Sequence, residues 1–155
     1  MPNIIDARLA ELGLSLPTPA LPVANYVPWV ISAGMVVVSG QLPLQDGTVA
    51  VTGLLGAGVS VEEGVRGTRL SLLGVLAQLR AACDGDLGRV RRVVRLGGFI
   101  AATPAFTQHA QVMNGASDLA VALFAEAGRH ARSTVGVASL PLGAAVEVEG
   151  LFELA

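Results

Sequence analysis

The spacing of apolar residues predicts a short helix, a pair of strands, a long helix, a strand, a second long helix and two closing strands. Ile4, Ile5, Leu9 and Leu12 fall on one side of a helix over residues 3–13, with Asn3 as its cap and Gly13 closing it. Residues 14–28 contain four prolines and read as a connector or edge segment. The run WVISAGMVVVSGQLP, residues 29–43, sets two β-branched stretches around the turn dipeptide Ala33-Gly34. It predicts a hairpin whose second strand, Met35 to Ser39, is buried. Asp46-Gly47 marks a further turn.

Residues 60–83 carry the clearest helical period, through Val61, Val65, Leu72, Leu76, Leu79 and Cys83. Ser60 opens this helix, and Glu62 and Glu63 place acids in its first turn, where the dipole favours them. Gly64, Gly67 and Gly74 would each cost about 1 kcal/mol relative to Ala, so they are expected to permit close packing. The turn Asp84-Gly85-Asp86 ends it. Residues 90–101 predict a strand in which Gly97-Gly98 can form a bulge. Residues 108–127 predict a helix with a break near Asn114-Gly115 and a stop at Gly128. Residues 132–140 and 145–154 predict two strands around the Pro141-Leu142-Gly143 turn. The order makes one α+β domain over residues 1–155, with 1–21 as helix and lead-in and both main helices on one sheet face. Nothing in the chain is left to cover the other face, which points to partner subunits.

Composition sharpens that inference. Of 155 residues, 52% are hydrophobic and 14% charged, an apolar balance that oligomerisation would relieve. The net charge of −2 and 4% aromatic content argue against a nucleic-acid groove. The one basic cluster, Arg89, Arg91, Arg92 and Arg95, fits a solvated or intersubunit face. The chain has no lysine, which excludes lysine Schiff-base chemistry. Its single cysteine, Cys83, excludes an internal disulfide and reads as core. His109 and His130 lack a matching ligand cluster and read as surface or helix-end residues, so no metal is expected. The acid-bearing N-terminus does not read as a signal peptide and no apolar run is of spanning length, so a cytoplasmic protein is expected.

Alternation puts Arg132 and Thr134 on one face of their strand, and Glu147 and Glu149 on one face of theirs. If the two strands pair as a hairpin, an arginine and two carboxylates share a rim. Solvent-facing strand charges would give the same pattern, and the pattern alone leaves both open.

The run Arg132-Ser133, Val135, Val137, Leu140-Pro141 and Val146-Glu147-Val148-Glu149 resembles the C-terminal signature of the Rid (reactive intermediate deaminase, YjgF-like or endoribonuclease L-PSP-like) family. Val38-Ser39-Gly40-Gln41-Leu42-Pro43 is similar to that family's early strand motif. The likeness spans roughly residues 22–154. It implies a chorismate-mutase-like fold of the bacillus type, in a homotrimer with a central barrel and ligand pockets between subunits.

By the same resemblance, Arg132 binds a substrate carboxylate, a task suited to a guanidinium fork. Glu147 positions or activates water, and an arginine beside it would lower its pKa and keep it ionised. Tyr26, Ser39, Asn114 and Thr134 fall at pocket positions. Thr134 stands where many members carry cysteine, which removes any thiol role. The implied activity is cofactor-free hydrolytic deamination of imine or enamine intermediates of small 2-amino acids, giving 2-keto acids and ammonia. A non-catalytic trimer that binds small carboxylates is the alternative. Endoribonuclease activity, a label the family often carries, has only the arginine cluster in its favour. The roles of Glu149, His109 and His130, and the substrate side chain, are left open.

Overall fold

The computed structural model describes residues 2–22 and 24–155. Helix α1 spans Ile4–Glu11, capped by the Asn3 side chain, which accepts from the Asp6 backbone N–H at 2.9 Å. Only Ile5 and Leu9 of its predicted apolar side are buried. The Arg80–Asp6 ion pair and a 2.7 Å bond from Arg8 to the Leu123 carbonyl tie it to the later helices. The proline-rich connector forms no helix or strand among its described residues, and its Val23 lies outside them. Buried Gln78 pins it through a 2.7 Å bond to the Ala20 carbonyl.

Strands β1 (Trp29–Ser32) and β2 (Met35–Gln41) form the predicted hairpin. Ala33 and Gly34 both hold left-handed φ, 50° and 77°, as a two-residue primed turn requires. Four two-residue strands follow that the hydrophobic pattern does not reveal: β3 (Leu44–Gln45), β4 (Thr48–Val49), β5 (Leu54–Leu55) and β6 (Gly58–Val59). Asp46-Gly47 is the β3–β4 turn. Helix α2 (Val61–Ala82) begins with a full capping box between Ser60 and Glu63. Its glycines do allow close approach: a Cβ on Gly67 would lie 2.8 Å from a Val146 methyl, and one on Gly64 3.0 Å from Val112. Strand β7 (Val90–Ala101), helix α3 (His109–Phe124), β8 (Ala131–Val137) and β9 (Val146–Leu154) complete the chain.

The main sheet runs β1-β2-β9-β7-β8. Helices α2 and α3 cover one face, where Val36, Val38, Val93, Leu96, Val148 and Phe152 are buried. On the other face lie Val30, Val37 and Val135, each about half exposed, with Phe99 and Leu151. No element of the described residues packs over them.

Three expectations need correction. The last two strands do not pair. β7 lies between them, parallel to β8 and antiparallel to β9. A parallel pair needs a long crossover, and α3 supplies it between β7 and β8. Burial agrees: β9 alternates buried and half-buried residues as a central strand, whereas β8 buries none completely, as an edge. Secondly, Gly97-Gly98 forms no bulge. The register shifts lie at Val90/Arg92 and Val93/Arg95, and Gly98 instead makes room for Met113. Thirdly, α3 is unbroken at Asn114-Gly115, because Gly115 packs directly against the α2 backbone at Val65.

Candidate functional site

Register separates the two principal candidates. Arg132 lies opposite Leu96 on β7, and Leu96 lies opposite Gly150 on β9, in the row that faces the helices. Glu147 lies opposite Phe99, which lies opposite Val135, in a row on the uncovered face. Within one protomer, Arg132 and Glu147 therefore point to opposite sides of the sheet with a strand between them. They form two half-sites, not one rim.

The Arg132 half-site is built on α3. Ala110, Asn114 and Ser117 recur at helical spacing along one stripe of that helix. Arg132 Nη1 donates to Asn114 Oδ1 at 2.9 Å and to Ser117 Oγ at 3.0 Å, and Nη2 donates to the Ala110 carbonyl at 3.3 Å. All three acceptors are neutral, and Arg132 forms no salt bridge among the described residues. The guanidinium is thus half-buried, anchored and unneutralised. Thr134, two residues on and facing the same way, has a buried hydroxyl oxygen with no hydrogen-bond partner among the described residues. So Asn114, Arg132 and Thr134 do come together.

The Glu147 half-site borders a cavity of about 430 Å³, lined in part by Leu21, Tyr26, Gly40, Leu42, Leu142 and Glu147. Gly40 sits against the Glu147 carboxyl, and a Cβ there would overlap Oε1. Burial, and secondarily the neighbouring Glu149, push the Glu147 carboxyl above the ordinary 4.5. The expected lowering by a neighbouring arginine is absent, because Arg132 faces the other side of the sheet. Tyr26 is about half exposed at the cavity rim. Ser39 does not line the cavity. Its hydroxyl donates to the Val27 carbonyl at 2.8 Å and its N–H to Pro28, which fastens the Tyr26 segment to β2.

Sequence reading missed three residues. Ser117 and His130 belong to the Arg132 cluster: His130 Nε2 lies 2.9 Å from Ser117 Oγ, and Nδ1 lies 2.6 Å from the Gly128 carbonyl. Ser117 follows Asn114 by three on a helix, and His130 precedes Arg132 by two at a strand start, so both spacings aim at the arginine. Gly40 carried no signal beyond its neighbours. His109 packs edge-on against Phe106, with ring centres 5.1 Å apart. Cys83 is buried, which raises its thiol pKa. Among the described residues, no three of His, Cys, Asp or Glu converge as a metal site, and no helix is long and apolar enough to cross a membrane.

Residues 6–154 match the family described as "YjgF/chorismate_mutase-like, putative endoribonuclease". Protein TCP17 of Trypanosoma cruzi is 50% identical over 151 residues, covering 97% of this chain and 94% of that protein. The crystal structure of the protein Atu1372 from Agrobacterium tumefaciens, described as of unknown function, superposes with a TM-score of 0.93 at 47% identity, covering 98% of this chain and 93% of that one. A Shewanella oneidensis structure described as a "putative endoribonuclease" superposes with a TM-score of 0.95 at 37% identity, covering 98% and 100%.

Proposed function

Since the chain belongs to the YjgF/chorismate-mutase-like family, we propose that it hydrolyses imine or enamine intermediates of small 2-amino acids to 2-keto acids and ammonia. The observation that carries this reading is the Arg132 guanidinium, held in place by neutral acceptors and without a salt bridge among the described residues. Such a group is a receptor for a carboxylate. A homotrimer with pockets between subunits resolves the separation of the half-sites: one protomer offers Arg132 and Thr134, its neighbour Glu147 and Tyr26. The half-exposed apolar sheet face supports burial against partners around a central barrel.

In this mechanism the substrate carboxylate docks on Arg132. The imine reacts as its N-protonated iminium, and Glu147 takes a proton from water as the water oxygen bonds to the iminium carbon, giving a carbinolamine. Glu147 returns that proton to nitrogen, and the C–N bond breaks as the hydroxyl proton passes to Glu147, which releases ammonia and leaves the carbonyl of a 2-keto acid. A carboxyl raised towards the working pH suits these proton transfers. The RNA reading has only the Arg89, Arg91, Arg92 and Arg95 cluster behind it, and within it Arg89 already pairs with Asp84 at 2.9 Å and Arg91 lies 3.7 Å from Glu153.

The test is ammonia release from enzymatically generated 2-iminopropanoate. Arg132→Ala is expected to abolish acceleration while the oligomer persists, and full activity in that variant would remove Arg132 from the mechanism. Ligand binding without turnover in the wild type would leave only a carboxylate-binding protein.

A further inference from the structure

We infer that His130 and Ser117 are positioning residues that orient Arg132 and fix which edge of its guanidinium is offered to a carboxylate. This deepens the proposed function and rests on Arg132 binding the substrate carboxylate.

A carbonyl oxygen only accepts, so the 2.6 Å contact between His130 Nδ1 and the Gly128 carbonyl places a proton on Nδ1. In the neutral ring Nε2 is then an acceptor, and the 2.9 Å contact with Ser117 is the serine hydroxyl donating to it. That orientation turns the lone pairs of Ser117 Oγ towards Arg132 Nη1, 3.0 Å away. The order is backbone carbonyl, imidazole, hydroxyl, guanidinium, each member setting the direction of the next.

A guanidinium has five N–H donors. Two on Nη1 go to Asn114 and Ser117, and one on Nη2 goes to the Ala110 carbonyl. The Nε–H and one Nη2–H have no acceptor among the described residues. Nε and Nη2 lie along one edge of the guanidinium plane, the side-on fork that holds a carboxylate with two parallel bonds. Without the hydroxyl, Nη1 loses one of its two acceptors and the planar guanidinium is freer to turn about Cδ–Nε. The fork then meets a carboxylate in a mixture of orientations, and binding weakens while the groups that move protons stay in place.

The experiment compares wild type, Ser117→Ala, Ser117→Thr, His130→Ala, Arg132→Ala and the double variant Ser117→Ala/Arg132→Ala. Each is measured for imino-acid turnover and, separately, for pyruvate binding by calorimetry. Ser117→Ala and His130→Ala are expected to raise KM and the pyruvate Kd about ten-fold, the cost of one hydrogen bond to a charged group, with kcat nearly kept. Ser117→Thr, which retains the hydroxyl, restores both. Ser117→Ala has no further effect once Arg132 is alanine, because the two act as one unit. Unchanged KM and Kd in both single variants would overturn the inference. So would additive losses in the double variant, or a collapse of kcat at constant KM, which would make Ser117 a chemical participant. Pyruvate binding that weakens as stated in the two variants, with no turnover even in the wild type, would leave the positioning role standing and remove the deaminase reading. A wild type that neither turns over nor binds would overturn both.

Discussion

Gly40→Ala and Gly115→Ala each add one methyl group, and the structure assigns them opposite outcomes. At Gly40 the new Cβ would overlap Glu147 Oε1 and lie 3.0 Å from Cδ and 3.2 Å from Cγ. All the obstructing atoms belong to one flexible side chain. Gly40 also lacks the left-handed φ that would bar alanine. Turning the Glu147 carboxyl off its rotamer relieves the clash at a cost of about 1 kcal/mol. For a chain of this length that is about 2–4 °C in Tm. At Gly115 the Cβ would overlap the Val65 carbonyl oxygen and the Thr68 hydroxyl, and would lie 2.9 Å from the Val65 carbonyl carbon. Two of these atoms are α2 backbone, and the Thr68 hydroxyl is already committed to the Val112 carbonyl at 2.7 Å. No rotamer change gives relief, so α2 and α3 must move apart, at about 3 kcal/mol or more.

Thermal unfolding followed by circular dichroism, together with ammonia release from 2-iminopropanoate, separates the two. Gly40→Ala is expected to fold with a Tm within about 4 °C of wild type and to lose about a hundred-fold or more in kcat/KM, because the carboxyl is turned out of place. Gly115→Ala is expected to lose about 6 °C or more in Tm. Full activity in Gly40→Ala would refute the assignment of Glu147. A stability loss in Gly40→Ala equal to that of Gly115→Ala would refute the distinction between side-chain and backbone obstruction.

Other outcomes follow from individual groups. The Glu147 carboxyl is raised by burial and by Glu149, so between the ordinary value of 4.5 and its folded value the folded state holds more protons than the unfolded. Its stability contribution is therefore complete below 4.5 and is lost as pH rises through the folded value. Chemical denaturation across that window should show Glu147→Gln with a flatter profile than wild type and greater stability above it. Thr134→Val removes a buried hydroxyl that has no partner among the described residues; it should leave stability equal or raised by about 1 kcal/mol and weaken pyruvate binding, and a clear destabilisation would show the hydroxyl to be satisfied in the protein. Ser60→Ala removes the α2 capping box and should cost about 1 kcal/mol in urea denaturation with no change in KM.

The elements that local chemistry dictates were legible. Ser60 with Glu63 marked the start of α2, and Ala33-Gly34 marked the β1–β2 turn. The pairing of β7 with β8 was not, because strand order depends on contacts remote in sequence, and Pro141-Leu142-Gly143 has the composition of a hairpin turn without being one. Arg132 and Glu147 stood out in the sequence as candidates, but their placement on opposite sides of the sheet did not, since a face is defined only once neighbours are known. Gly115 illustrates the same limit. A glycine inside a helix reads as a weak point, and only the position of Val65 on the other helix shows it to be a contact.

The two half-sites have complementary electrical needs. Arg132 is held by dipoles and Glu147 is raised by burial and a second carboxylate, and neither forms an ion pair among the described residues. Had both stood on one face of one sheet, they would have paired and neutralised each other, leaving neither free to act on a ligand. Strand β7 prevents this within a protomer. In the proposed assembly the two meet across a subunit boundary, where a substrate can lie between them. A 2-imino acid presents a carboxylate for Arg132 and, one carbon away, the centre whose water and nitrogen need a proton carrier. A ligand bearing only a carboxylate satisfies one half and leaves the raised carboxyl unused. On this reasoning the β1-β2-β9-β7-β8 order does more than shape the sheet: it keeps the two charges apart until a ligand joins them.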